Sequence, residues 1–267
     1  MQRRIEPPRA GVAVVGLGWW GRTIVSLLKG NKKLRLVMGV DVAPVSIDGL
    51  KVVNSYDEAP ASREVDAVIL CTPHTQHTEQ IEQAAAKVKH VFCEEPLSLS
   101  RAAVLRAVKA CNQNGVKLGV GHEKRFEPPI RDLFSMAAGG ELGTLLQVEA
   151  NFSQANFLSL PADNWRLSAP EAPAGPMTAT GIHLLDLAIG LLGPADLVWA
   201  SCSQLGSQLT NGDTLGVMVR HKSGANALIS AILATPFDGR FPADGRKGGG
   251  EVGDKGHPGA PPGWARR

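Results

Sequence analysis

Five short, nearly unbroken apolar runs punctuate the first 122 residues: VAVVG (12–16), LRLVMGVDV (34–42), VDAVILCT (65–72), KHVFCEE (89–95) and VKLGVGH (116–122). Each has the length of one strand and lacks the in–out alternation of a half-exposed one, so both faces of the sheet they form must be covered. The covers lie between them: WWGRTIVSLLKG, HTEQIEQAAAKV and RAAVLRAVKACNQNG are amphipathic helical stretches. Strands alternating with helices predict a doubly wound parallel α/β sheet over residues 11–125, after an N-terminal arm of residues 1–10.

Beyond residue 125 the grammar changes. A helix at PPIRDLFSMAAGGELG leads into a strand at TLLQVEANFSQANF, a Pro-rich loop (161–176) and an apolar helix, TGIHLLDLAIGLLG. DLVWASCSQL, DTLGVMVRHK and ANALISAILAT then follow as strands with no helix between them. That succession predicts an α+β domain over 126–236 with an open, mostly antiparallel sheet. Residues 238–267 hold nine glycines and four prolines. Too little apolar surface remains there to offset the entropy of ordering, so 237–267 is expected as a disordered or poorly packed tail and the second domain as truncated.

No apolar run approaches the roughly 18 residues of a membrane span, and MQRRIEPPRAG lacks the apolar stretch of a signal peptide. A cytoplasmic protein with no membrane partner is expected. The formal charge of +3 sits mostly at the ends, at Arg3, Arg4, Arg9, Arg266 and Arg267, and is weak grounds for a nucleic-acid partner. Cys71, Cys93, Cys111 and Cys202 show no C-x-x-C spacing and mostly lie in apolar runs, which predicts reduced, buried thiols.

The first chemical motif is VVGLGWWG, with Gly16, Gly18 and Gly21 in G-x-G-x-x-G spacing, after a strand and at the start of a helix. Asp41 follows twenty residues later at the end of the second strand. That context is the dinucleotide fingerprint: glycines for a tight turn, pyrophosphate approach and helix packing, and an acid for the ribose hydroxyls. Asp41 would repel a 2′-phosphate and no Arg follows it, so NAD is favoured over NADP. Trp19 and Trp20 lie inside the fingerprint.

Two further motifs fall at strand ends, the edge where such sheets bind ligands. In LCTPHTQH, Thr72 and Pro73 form a turn that would bring His74 and His77 to the mouth. An H-x-x-H pair without a third ligand is a poor metal site, so no metal is expected, and His74 is expected at the surface or as a cap. In CEEP, Glu94 and Glu95 precede Pro96. Successive strand side chains point to opposite faces, so these two carboxylates are not an acid/base pair of the glycosidase kind. Thr72, Pro73, His77, Glu94 and Pro96 complete the candidate cofactor contacts.

VVGLGWWG, CTPHTQH, CEEP and GIHLLD, in this order and spacing, resemble the Gfo/Idh/MocA family (glucose–fructose oxidoreductase, inositol dehydrogenase, rhizopine catabolism) over roughly residues 10–235. The resemblance implies a Rossmann domain carrying NAD(P). It also implies a second domain whose open sheet often forms oligomer contacts, and hydride transfer on sugars, cyclitols and related polyols. It implies two departures as well. The family's Glu-Lys-Pro is Glu94-Glu95-Pro96 here, and its Asp-x-Gly-x-His has Ala179 in place of the Asp, leaving His183. By this match Glu95 faces the site, held neutral if burial and Glu94 raise its pKa. His183 is then the base, with Asp186 one helical turn on as its orienter, against the plainer reading of a packed helix face. His122, Lys124 and Arg125 in GHEKRF stand where the family often has Asn-Arg-Arg-Phe, and would contact substrate or supply the missing cation. Trp165 and Arg166 in NWR resemble a Trp-Arg that reaches the substrate region. The expected activity is an NAD(P)-dependent oxidoreductase. Two other readings stand beside it: a nucleotide-binding regulator without catalysis, and a lyase or hydrolase working through transient oxidation.

Overall fold

The computed structural model describes residues 8–253 and 263–266; residues 1–7 of the N-terminal arm, and 254–262 and 267 of the expected tail, lie outside them. The chain divides into two compact units, Met1–Gly121 and His122–Arg267.

The first unit runs β1 (Ala10–Val15), α1 (Trp19–Leu28), β2 (Leu34–Val40), β3 (Val52–Val53), α2 (Glu58–Ala61), β4 (Ala67–Leu70), α3 (His77–Ala86), β5 (His90–Cys93), α4 (Arg101–Gln113) and β6 (Leu118–Val120). Its six strands pair in parallel in the order β3-β2-β1-β4-β5-β6, so the chain winds outward from β1 and then restarts on the other side at β4. Val12 and Val14 pack with Leu17 and Val25 on one face, while Ala13 and Val15 pack with Ile81, Ala84 and Ala107 on the other. Burial on both faces is why these strands read as unbroken apolar runs.

The second unit contains α5 (Pro128–Ala138), β7 (Leu145–Ser153), α6 (Ile182–Leu192), β8 (Ala195–Ser203), β9 (Thr214–His221) and β10 (Asn226–Ile232). They are followed by β11 (Asp238–Gly245), β12 (Gly248–Gly253) and β13 (Gly263–Arg266). The sheet order is β13-β12-β11-β7-β10-β9-β8, and only β7 and β10 pair in parallel. Ile130 and Leu133 of α5 and Leu184, Leu187 and Ala188 of α6 share one core with Val148, Val217, Val219 and Ile229. The opposite face exposes Leu197, Trp199, Met218 and Leu228. Among the described residues no helix is long and apolar enough to cross a membrane.

Two expectations are corrected here. Residues 238–253 are ordered strand, not tail, because the few apolar side chains they have are spent efficiently: Phe241, Ala243 and Val252 are all buried in the second core. Pro242, which cannot donate to a ladder, falls where β11 and β7 share no bridge, between the pairs Arg240↔Asn151 and Ala243↔Val148. Strands therefore continue past residue 235. Of the four thiols, Cys93 and Cys111 are buried, but Cys202 is exposed because β8 is the outermost strand of its sheet.

Candidate nucleotide and substrate sites

In the first unit β1 ends at Val15 and the chain turns through Gly16, whose φ is +84°. A Cβ on Gly16 would stand 2.7 Å from the carbonyl oxygen of Cys71, and one on Gly21 would collide with the carbonyl of Gly16 itself. The protein's own backbone thus demands both glycines. Gly18 differs: a Cβ there would have no atom within 4 Å. It is the N-cap of α1, contributes no capping side chain, and no acidic residue occupies the first turn. An open cradle at the positive end of a helix fits a pyrophosphate. Asp41 is stitched to this turn: one carboxylate oxygen accepts from Leu17 N at 2.6 Å and the other from Ala43 N at 2.9 Å. Each oxygen retains a lone pair for a ribose hydroxyl. Trp19 is exposed, its ring centroid 5.3 Å from that of Trp20.

The C-terminal ends of β4 and β5 carry the other expected nucleotide contacts. Thr72 Oγ1 donates to Gln80 Oε1 at 2.6 Å. His77 is completely buried, with Nε2 3.0 Å from the Thr72 carbonyl and Nδ1 2.9 Å from the Pro96 carbonyl. Burial lowers its pKa, opposed by those two carbonyls. His74, expected at the surface, is buried as well, its ring 5.9 Å from that of His77. The reason is local. Pro73 starts a 3-10 turn over His74–Gln76 that runs directly into α3, so residues 74 and 77 turn inward together. Glu94 and Glu95 are half-buried, and Glu94 lies so near Gly121 that a Cβ there would come within 2.6 Å of its Oε2.

In the second unit a π-helical turn, Met177–Gly181, precedes α6 and carries Ala179; His183 follows in the first turn of α6, buried. Lys124 sits on a 3-10 turn (Glu123–Phe126), with Nζ 5.3 Å from the centre of the Phe152 ring and 2.8 Å from Glu127 Oε1. The Phe152 ring is in turn 6.1 Å from that of His183. Lys124, Asn151, Phe152, His183, Phe237 and Arg240 are among the residues lining a cavity of ≈ 210 Å³. Burial above all, then the charges on Lys124 and His122, lower the His183 pKa to about 4. His183 is therefore a neutral imidazole across the physiological range, and a weak base in the empty site.

Asp186 does not orient His183. Its carboxylate takes the guanidinium of Arg125, with Nε on Oδ2 and Nη2 on Oδ1 at 2.7 Å, while His122 Nε2 stands 4.0 Å from Oδ1. A fixed cation with a forked donor outcompetes a neutral ring one turn away. The carboxylate nearest His183 within the second unit is Glu123, Oε2 to Nδ1 3.9 Å, and burial raises its pKa. The Arg166 guanidinium lies 4.2 Å over the Trp165 ring. Their loop is held by buried Asn211, whose Nδ2 donates to the carbonyls of Arg166 (2.8 Å) and Ala172 (2.9 Å). Glu123 and Asn211 were not expected. The Asn-Gly-Asp triplet at 211–213 signals only a turn, and nothing in the spacing of GHEKRF singles out its glutamate.

Two family models match the chain: "Oxidoreductase family, NAD-binding Rossmann fold" over residues 10–122, and "GFO/IDH/MocA C-terminal domain" over residues 130–251. The chain is 26% identical to inositol 2-dehydrogenase of Rhizobium meliloti (strain 1021), across 88% of its own length and 73% of that protein's. It is 31% identical to 1,5-anhydro-D-fructose reductase of Ensifer adhaerens, across 70% of its own length and 56% of that protein's. Among solved structures, GenD2 from gentamicin A biosynthesis in complex with NAD superposes with a TM-score of 0.86 at 27% identity, covering 97% of this chain and 80% of GenD2.

Proposed function

Because the chain belongs to the Gfo/Idh/MocA family of NAD-binding oxidoreductases, we propose that it is a dehydrogenase that oxidises a secondary hydroxyl of a sugar, cyclitol or related polyol, with His183 as its base. The observation that carries this reading is the pairing of a buried, neutral His183 with the Lys124 ammonium around one cavity. Gly16, Gly18 and Gly21 would receive the pyrophosphate and Asp41 the adenosine ribose, favouring NAD over NADP. Bound NAD supplies the hydride acceptor. His183 takes the hydroxyl proton as the carbon gives up its hydride. Lys124 stabilises the developing alkoxide, a task that the family assigns to the position held here by Glu95. A unit charge at ~4 Å is worth about 4 kcal/mol at an effective dielectric of ~20. Arg125 is held in a forked pair by Asp186, whereas Lys124 lines the cavity and, with one contact to Glu127 at 2.8 Å, keeps further N–H donors for this role.

The decisive experiment follows NADH absorbance with NAD and a panel of cyclitols, aldoses and sugar acids. His183→Gln should lower kcat by about 10²–10⁴-fold. Lys124→Met should cost roughly 30-fold, the equivalent of half the unit-charge term. A chain that binds NADH yet oxidises nothing on the panel, with Glu95→Lys no better, would overturn the dehydrogenase reading in favour of a nucleotide-binding regulator.

The substrate class draws support from the names of the relatives, which include an inositol dehydrogenase and an anhydrofructose reductase. The bare face of the second sheet, with Trp199 on its outermost strand, we assign to a second copy of the chain. Sedimentation of Trp199→Glu as a monomer beside a dimeric parent would support it, and a monomeric parent would end it.

A further inference from the structure

We infer that His77 is a positioning residue for the nicotinamide half of the nucleotide site: its imidazole brackets the main chains of Thr72 and Pro96 and so fixes two neighbouring loops against each other. This rests on the reading of the C-terminal strand edge as the nucleotide site.

β1, β4 and β5 are adjacent and parallel, so the segments leaving them emerge side by side at one edge. The first is the glycine turn, packed by Gly16 directly on the backbone of Cys71 and Thr72. The second is Thr72-Pro73 and the third is Glu94-Glu95-Pro96. Among the described residues, the last backbone bond between these two strand ends is Glu94 N to the Leu70 carbonyl, at 3.0 Å. Beyond it His77 joins the second segment to the third: its ring nitrogens lie 3.0 and 2.9 Å from the two carbonyl oxygens, the neutral ring donating to one of them and packing against the other. Its neighbours reinforce the same link: Thr78 Oγ1 donates to Ser98 Oγ at 3.0 Å, and Gln80 accepts from Thr72 Oγ1. The first turn of α3 thus grips both loops.

The chemistry argues for geometry over mere filling. A completely buried position with no other duty is best occupied by an apolar side chain. A polar ring whose two nitrogens meet two carbonyl oxygens instead specifies one arrangement of the backbones it joins. Asp41 at the end of β2 places the adenosine ribose on the β1–β2 side, so the loops after β4 and β5 serve the other mononucleotide half. Disturbing His77 should therefore be felt at one end of the dinucleotide only.

The test compares NADH with ADP-ribose, which lacks the nicotinamide, by calorimetric titration. In His77→Phe, which keeps the volume and removes both polar contacts, NADH should bind at least 10-fold more weakly while ADP-ribose changes less than 2-fold. His77→Gln, which retains an amide donor, should recover part of the loss. Equal weakening of both ligands, or of neither, would overturn the inference. If His77→Phe does not fold, the same ratio is read in His77→Gln against the parent chain. Failure of the parent chain to bind either ligand would instead refute the nucleotide site itself.

Discussion

Two glycine-rich stretches are anchored differently. In residues 16–21 the glycines are obligatory. Gly16 and Gly21 are pressed against backbone that leaves no room for a Cβ, and Gly18 opens onto empty space at the helix start. In residues 238–253 the glycines are mixed: a Cβ on Gly245 would collide with the Leu142 carbonyl oxygen and Gly248 has a φ of +145°, but the segment is anchored by the burial of Phe241, Ala243 and Val252 between the glycines. The lesson is that glycine count says little. The useful question is what each missing side chain makes room for: protein backbone, a ligand, or nothing.

The largest effect should come from breaking the first stretch where backbone fills the space. Gly21→Val would drive a branched side chain into the Gly16 carbonyl. It should abolish NADH binding by calorimetry and cost the first unit several kcal/mol in thermal unfolding, in the manner of other overpacked sites. Gly18→Ala sharpens the contrast. Its Cβ meets no protein atom, so Tm should hold within about 2 °C while NADH affinity falls roughly 10-fold or more, since the methyl group occupies the phosphate's approach. Equal loss of stability in both variants would mean that Gly18, too, serves only the fold.

The second stretch breaks at a side chain instead. Phe241→Ala removes a buried aromatic ring and should cost about 3–5 kcal/mol in denaturant unfolding, with NADH affinity unchanged. A cost under about 1 kcal/mol would show that residues 238–253 contribute little to the core in solution and would restore the tail reading.

How much of this was legible follows from where the physics is local. The parallel strands of the first unit announce themselves because Val12–Val15 and Val68–Leu70 are covered on both faces, which leaves no polar positions to confuse the pattern. The glycine turn and Asp41 were legible because a fixed spacing is the whole of their geometry. β3 was missed because Val52 and Val53 are too short a run to signal anything. The strands β11 and β12 were missed because averaging over composition hides which three residues are buried. In the candidate substrate site, sequence located His183 but not its surroundings. Whether Asp186 would turn to His183 or to Arg125 is a competition between partners 3 and 61 positions away in the chain, and no local pattern decides it. The inward turn of His77 likewise meets carbonyls at Thr72 and Pro96, the latter nineteen residues further along the chain.

The smallest effect tests the second unit's chemistry by way of its stability. An unfolded histidine titrates near 6.5, and folded His183 near 4 because it is buried beside Lys124 and His122. Above pH 6.5 both states hold the ring neutral and nothing is linked. Between 6.5 and 4 only the unfolded chain takes up the proton, so unfolding becomes easier as the pH falls, and the effect levels off below about 4. The full separation corresponds to roughly 3 kcal/mol as an upper bound, at 1.36 kcal/mol per unit of pKa. His183→Gln removes the titrating group, so its stability should decline less than the parent's between pH 6.5 and 4, read from urea midpoints at matched ionic strength. If parent and variant decline in parallel, His183 is charged in the fold or freely hydrated. Its fitness as a neutral base would then have to come from bound substrate and not from the empty site.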